Sequence, residues 1–250
     1  RDLLHGTWLG HPLHPMLTDV PIGAWMSAAV LDLVPGGRRA GTTLVGLGVV
    51  AAVPTAVTGL ADWSQLNRPE QRTGVVHAAA NSVALTLYAR SFTARLRGRH
   101  GLGKVLALGG LAALGFGGLL GGHLSYRRAI GANHTADVKD TMPSGWTVIA
   151  TLDELPDRTL TVRQLGQVPV LLYRRGPTVD ALVDRCSHLS GPLHNGEVRE
   201  VVGDTCVVCP WHGSTFRLRD GEVVHGPATA PQPRLRTRVA DQQVEVELVT

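Results

Sequence analysis

Residues 206–216 read "CVVCPWHGSTF", and just upstream residues 185–196 read "RCSHLSGPLHNG". Each stretch holds a cysteine followed two or three positions on by a histidine: Cys186 with His188, and Cys209 with His212. Two thiolates and two imidazoles make a donor set for tetrahedral zinc or for an iron–sulfur cluster. A disulfide between Cys206 and Cys209 would take the thiolate from the second stretch. Cys206 lies in a β-branched run and reads as a buried strand thiol with no ligand role. Three clustered cysteines in 250 residues do not make a secreted disulfide framework.

The sequence around these stretches is β-prone. "WTVIA", "RTLTVRQL", "VPVLLYRR", "TVDALVDRC", "STFRL", "GEVVHG", "RLRTRVA" and "QVEVELV" are short runs punctuated by "GP", "NG" and "DG" turns. They predict a small antiparallel sandwich or barrel over 146–250. "VREVVGDTC", between the two cysteine loops, reads as a hairpin extension. Residues 126–145 read as a polar linker.

Before the linker the texture changes. Four apolar segments, at 16–34, 42–60, 75–92 and 105–124, each come near the ~20 residues that cross a bilayer as a helix. The second and fourth carry no charge; the third holds His77, Asn81 and Arg90. Gly109, Ala113, Gly117 and Gly121 recur every four residues, as do Gly48, Ala52 and Ala56, a spacing that lets a neighbouring helix approach. The fold expected is therefore a membrane α-helical bundle of four transmembrane helices over 1–125, followed by the all-β domain. "RDLLHGTWLGHPLHP" lacks the order of a cleavable leader. A net charge of +4 with no basic stripe and no interleaved aromatics argues against nucleic acid as a partner.

In a four-span arrangement His11, His14, His77, His123 and His134 gather at one membrane surface. Their two readings are a haem or metal site between helices and interfacial histidines bonded to water or nearby carbonyls. Arg38, Arg39, Arg95, Arg97, Arg99 and Lys104 mark the opposite loops as cytoplasmic by charge bias. Cluster assembly in the cytoplasm points the other way, and the sequence leaves open which side the β domain faces. The expected location is the cell membrane, multi-pass.

"HGTWLGHPLHPMLTDVPIGAW" resembles the opening of an uncharacterised bacterial four-span membrane family marked by its "HPLHP". "CSHLSGPLHNG" with "CPWHGSTF" resembles the Rieske pattern, C-x-H and C-x-x-H. That resemblance implies a 2Fe–2S cluster in which Cys186 and Cys209 hold one iron and His188 and His212 the other. It also implies shielding of the cluster by Pro192, Leu193, Pro210 and Trp211. The extra cysteine pair of the quinol-oxidising members is missing, since those places carry Ser190 or Gly191 and Trp211. Ser214 stands where that family has a hydroxyl near a cluster sulfur, and Phe216 replaces its tyrosine, so the potential is expected toward the low end of the Rieske range. The stretch from His212 to Thr250 finishes the β domain and leaves no room for a mononuclear-iron domain. These features imply an electron-transfer component, more than a complete oxidoreductase, exchanging single electrons with a redox partner protein or a quinone. The alternative is a cluster-based redox sensor or assembly factor of a membrane complex.

Overall fold

The computed structural model describes residues 1–249 and divides into two compact units. One is helical, Pro12–Ile130. The other is the β unit, formed by the chain from Gly131 onward together with Arg1–His11.

The β unit begins with a short helix, α1 (Asp2–His5). The helical unit then runs up and down through α2 (Leu13–Leu31), α3 (Arg38–Trp63), α4 (Arg68–Leu96) and α5 (His100–Gly122), followed by one π-helical turn at His123–Arg127. Its polarity is inside out. Large apolar side chains face outward, Val50 at 70% and Leu119 at 69% exposure, whereas Gly41, Gly48, Ala84, Gly103 and Gly110 are buried. Water would penalise that arrangement, and hydrocarbon suits it. By length and composition, α3 and the stretch His100–Arg127 can cross a bilayer. Segment 75–92 looks weak in sequence partly because two of its polar residues serve the interior: His77 on α4 bonds to α5 and Asn81 bonds within its own turn, whereas Arg90 is exposed. Asp19 lies exposed inside α2 and does not cap that helix.

Three pairs of side chains run down the middle of this bundle. His14 and His77 meet edge to face with ring centroids 6.5 Å apart. Trp25 stacks on Tyr88 at 4.1 Å, its indole N–H donating to the Val45 carbonyl at 3.3 Å. Asp32 receives both guanidinium arms of Arg95, at 2.7 and 2.5 Å, and Arg95 also donates to Ser91 Oγ at 3.2 Å.

After α6 (Val138–Thr141), ten strands among the described residues form two antiparallel sheets. The larger has the order β1-β10-β9-β4-β3-β2: β1 is Thr147–Thr151, β2 Leu160–Leu165, β3 Val168–Arg175, β4 Thr178–Val183, β9 Arg234–Ala240 and β10 Gln243–Leu248. The smaller has the order β5-β6-β7-β8, with β5 Glu197–Val201, β6 Asp204–Val208, β7 Thr215–Arg217 and β8 Val223–His225. Two cores result. Val170, Leu172, Val183 and Val246 sit in one; Cys186, Leu193, Cys209 and Phe216 share the other with Leu171 and Leu182.

The hairpin foreseen in "VREVVGDTC" is β5–β6. Its last pair is Val201 with Asp204, leaving Val202 and Gly203 as the turn with φ of 51° and 84°. Positive φ at both central residues is the type I′ geometry, which favours Asn-Gly and strains a β-branched side chain. Val202 packs on nothing, being 99% exposed. Val202→Asn is therefore expected to relieve about 1 kcal/mol of strain and raise the melting temperature of the β unit by a few degrees. Thermal loss of visible absorbance in the full chain measures this; an unchanged or lower midpoint contradicts it.

Candidate metal centre

Strand β4 runs straight into the first cysteine loop, and β6 into the second. In the first loop the Cys186 N–H donates to the Gly191 carbonyl at 2.9 Å and the Ser190 N–H to the Cys186 carbonyl at 2.8 Å. In the second the Cys209 N–H donates to the Ser214 carbonyl at 2.8 Å and the Gly213 N–H to the Cys209 carbonyl at 3.1 Å. Each loop is thus a closed turn that holds its cysteine inward, and Cys186 and Cys209 are both buried.

The loops meet closely. A Cβ on Gly191 would stand 2.9 Å from Cys209 Sγ and 3.2 Å from the Trp211 ring, so a hydrogen alone fits there. The two thiols share a hydrogen bond. With Cys186 as donor, that bond and burial raise its pKa well above the ordinary thiol value; as acceptor, Cys209 falls to about 7, helped by the N–H groups of Trp211 and His212. The His188 and His212 rings lie 5.1 Å apart and nearly perpendicular. Burial, then the neighbouring His212, pushes His188 down to about 3, and burial lowers His212. Both imidazoles are neutral at pH 7, the form in which they ligate metal.

The donors therefore come as two pairs, sulfur with sulfur and ring with ring. Among the described residues no three His, Cys, Asp or Glu side chains converge on a single ion. Cys206 stands apart from the site in β6, its thiol weakly bonded to the Asp204 carbonyl at 3.5 Å. Pro192, Leu193, Pro210 and Trp211 lie in or next to the two loops; Leu193 is buried and Trp211 half exposed. Ser214 is buried, and its Oγ accepts the Ala228 N–H at 3.0 Å.

Several supports of these loops escape a reading of the sequence. Gln232 is buried, accepts the Ser187 N–H at 3.1 Å, and donates to the carbonyls of Val183 and Arg185 at 2.7 and 2.5 Å. Asp184 binds the His194 backbone N–H at 2.6 Å and Nδ1 at 2.5 Å, and burial raises its carboxyl pKa. His134, in the stretch read as a linker, donates its backbone N–H to the Ser187 carbonyl at 3.0 Å, and its Nδ1 lies 3.2 Å from Ser190 Oγ. His225 pairs with Asp2, whose other oxygen accepts the Gly226 N–H; this is what draws the N-terminal residues into the β unit. The only sequence signal for Gln232 is a long amide set between two prolines in an otherwise apolar loop.

Of the five histidines expected at one membrane surface, the structure brings together His14 and His77. His11 and His123 are exposed, and His134 belongs to the β unit with the first cysteine loop. Helix α2 starts after His11, and the π turn at the end of α5 points His123 outward, so their positions in sequence do not translate into convergence.

Residues 145–241 match the Rieske [2Fe-2S] domain, and residues 10–134 match the family described as predicted membrane protein (DUF2231). The anthranilate 1,2-dioxygenase ferredoxin subunit of Burkholderia cepacia is 33% identical over 103 residues, 41% of this chain and 92% of that relative. Ferredoxin CarAc of Metapseudomonas resinovorans is 30% identical over 40% of this chain and 89% of its own length. Among solved structures, the ferredoxin of carbazole 1,9a-dioxygenase from Nocardioides aromaticivorans IC177 is 26% identical, with a TM-score of 0.39 over 42% of this chain and 98% of that one. The Rieske match gives the β unit a 2Fe–2S cluster. Its relatives include ferredoxins and iron–sulfur subunits. The donor set suits such a group: paired sulfurs, paired neutral imidazoles, and a loop contact that Gly191 leaves open.

Proposed function

This chain belongs to the predicted membrane protein family DUF2231 and carries a Rieske [2Fe-2S] domain behind it, and we propose that it acts as a membrane-anchored carrier of single electrons. Cys186 and Cys209 hold one iron, and His188 and His212 the other. The observation that carries this assignment is the pairing of thiol with thiol and ring with ring from two separate loops. When bound, the cluster supplies a one-electron couple.

The chain's own groups do the rest. N–H groups of His188 and Leu189 point at the Cys186 sulfur, and those of Trp211 and His212 at Cys209, so backbone dipoles offset negative charge on the sulfurs. Leu171, Leu193 and Phe216 exclude water beneath the loops. Half-exposed Trp211, beside His212, marks the face at which a partner protein or quinone exchanges the electron. Helices α2 to α5 cross the bilayer four times and anchor the carrier.

The test is a redox titration of the full chain, followed by rapid mixing with a quinol analogue and, separately, with a ferredoxin reductase. Reversible one-electron exchange with either is expected. A cluster that neither partner reduces or oxidises overturns the carrier reading. Phe216 is fully buried in the cluster-side core. Phe216→Tyr, which adds a hydroxyl donor, is expected to raise the potential by about 40 mV, from about 1 kcal/mol of hydrogen bonding to the reduced form. An unchanged or lower potential contradicts the low-potential reading of that position.

A further inference from the structure

The two helical hairpins of the membrane unit repeat each other in three dimensions. His14 and Trp25 on α2, with Asp32 at its C-cap, have their counterparts in His77, Tyr88 and Arg95 on α4, at one constant offset along the chain. Gly48, Thr55 and Gly59 on α3 correspond in the same way to Gly110, Gly117 and Gly121 on α5, again at a constant offset and only one position shorter. The contacts repeat as well. Trp25 packs on Gly48 as Tyr88 packs on Gly110, and His14 on Gly59 as His77 on Gly121. Each counterpart pair then meets its fellow on a common axis: ring against ring, indole on phenol, carboxylate on guanidinium. The steps from His14 to Trp25 and from Trp25 to Asp32 are close to three and two helical turns, which keeps the three layers on one face.

The histidine layer is built for ligation. His14 Nδ1 lies 2.9 Å from the Thr55 carbonyl, and His77 Nδ1 lies 2.8 Å from the Gly117 carbonyl. A carbonyl only accepts, so in both rings the proton is on Nδ1 and the lone pair on Nε2. Anchoring one ring nitrogen to a carbonyl is how proteins orient imidazole toward a metal with the other. Two imidazoles on opposite sides of one metal, each bonded at about 2 Å, place their ring centres about 6 Å apart. The observed separation is 6.5 Å. A bare divalent ion would want three or four protein donors, and no such group converges here among the described residues. A haem iron brings four nitrogens of its own and wants two.

We propose that His14 and His77 are the axial ligands of a haem held at this end of the helical unit, a centre independent of the Rieske cluster. His14 lies in the first turn of α2, about three helical turns from Trp25, so a group bound there would sit at the end of the bundle, clear of the Trp25–Tyr88 layer. Asn81 Nδ2 stands 3.2 Å from His77 Nε2 and yields that place to the iron, keeping its bond to the His77 carbonyl at 2.9 Å.

The experiment expresses the full chain in bacterial membranes supplied with haem precursor, purifies it in detergent, and measures haem by its absorption bands. The cluster's paramagnetic resonance signal in the same sample reports folding separately. Close to stoichiometric haem is expected. With ring planes at 85°, the ferric form should give the strongly anisotropic low-spin signal of perpendicular imidazoles. His14→Ala and His77→Ala should each lower haem content at least tenfold with the cluster signal retained, whereas His11→Ala and His123→Ala keep it. Should the alanine variants fail to fold, His14→Met and His77→Met preserve a ligand and are expected to shift the bands. Cluster-loaded protein that takes up no haem even when hemin is added overturns the proposal. So does haem that persists in the double alanine variant, or a methionine variant with wild-type bands.

Discussion

Cys209→Ser is expected to leave the chain without its cluster while the larger sheet stays folded. Cys209 is the sulfur most ready to ionise: it accepts the Cys186 thiol's hydrogen bond and receives two backbone N–H groups, which brings it to about 7. A serine hydroxyl in the same place stays protonated and offers iron a poor donor. Loss of supporting hydrogen bonds alone typically costs 10–100-fold in metal affinity, so iron content should fall at least about tenfold on losing a ligand outright. Both cysteines belong to the core that includes Leu193 and Phe216, and neither belongs to the core of Val170, Val183 and Val246. The damage should therefore stay local, with far-ultraviolet circular dichroism near that of the wild type. Cys206→Ser is the matched control. That residue is as buried as the other two, but its thiol already bonds the Asp204 carbonyl, a bond serine can take over. If Cys206→Ser empties the site, or Cys209→Ser retains iron and its resonance signal, the ligand assignment is wrong.

The four proposed ligands stand out in the sequence, and the reason is local. A cysteine and a histidine two or three positions apart can be held by one tight turn, so "CSH" and "CPWH" announce their chemistry without distant partners. The strands are legible for the same reason: alternation and turn residues act over a few positions, as "VREVVGDTC" and its β5–β6 hairpin illustrate. What stays hidden depends on groups far apart in the chain. Asp2 bonds His225 and Gly226, and no local pattern joins the first turn of the chain to a loop near its end. The repeat of the two helical hairpins is nearly silent too, because two of its three layers pair unlike side chains: indole with phenol, carboxylate with guanidinium. The third apolar segment reads as weak because hydropathy scores His77 and Asn81 as liabilities, whereas the fold satisfies both; Arg90 stays exposed.

Gln232 belongs to that hidden class, and its replacement by leucine is expected to loosen the first cysteine loop more than any other change outside the ligands. Leucine matches the side chain roughly in volume but has no polar atoms. The Ser187 N–H loses its acceptor, and the carbonyls of Val183 and Arg185 lose their donor, at a site 2% exposed where water cannot replace them. Each buried polar group left unpaired costs about 1–3 kcal/mol, so a total near 3 kcal/mol is a conservative sum. That energy falls on one segment, because the bonded residues Val183, Arg185 and Ser187 flank or adjoin Cys186. It should appear as local opening: about 3 kcal/mol corresponds to roughly a hundredfold rise in the population of the open loop. Release of iron to a chelator, limited by that opening, should accelerate by a similar factor, with the Ser187 amide exchanging its hydrogen correspondingly faster. Gln232→Glu separates hydrogen bonding from packing. It keeps an acceptor for Ser187 but turns a carboxylate on two carbonyls, so it should release iron faster than wild type despite its near-identical shape. A disulfide could have clamped these loops, but all three cysteines are free, and the amide carries that task. Iron release from Gln232→Leu at the wild-type rate would mean that Asp184 and the β4 backbone hold the loop unaided.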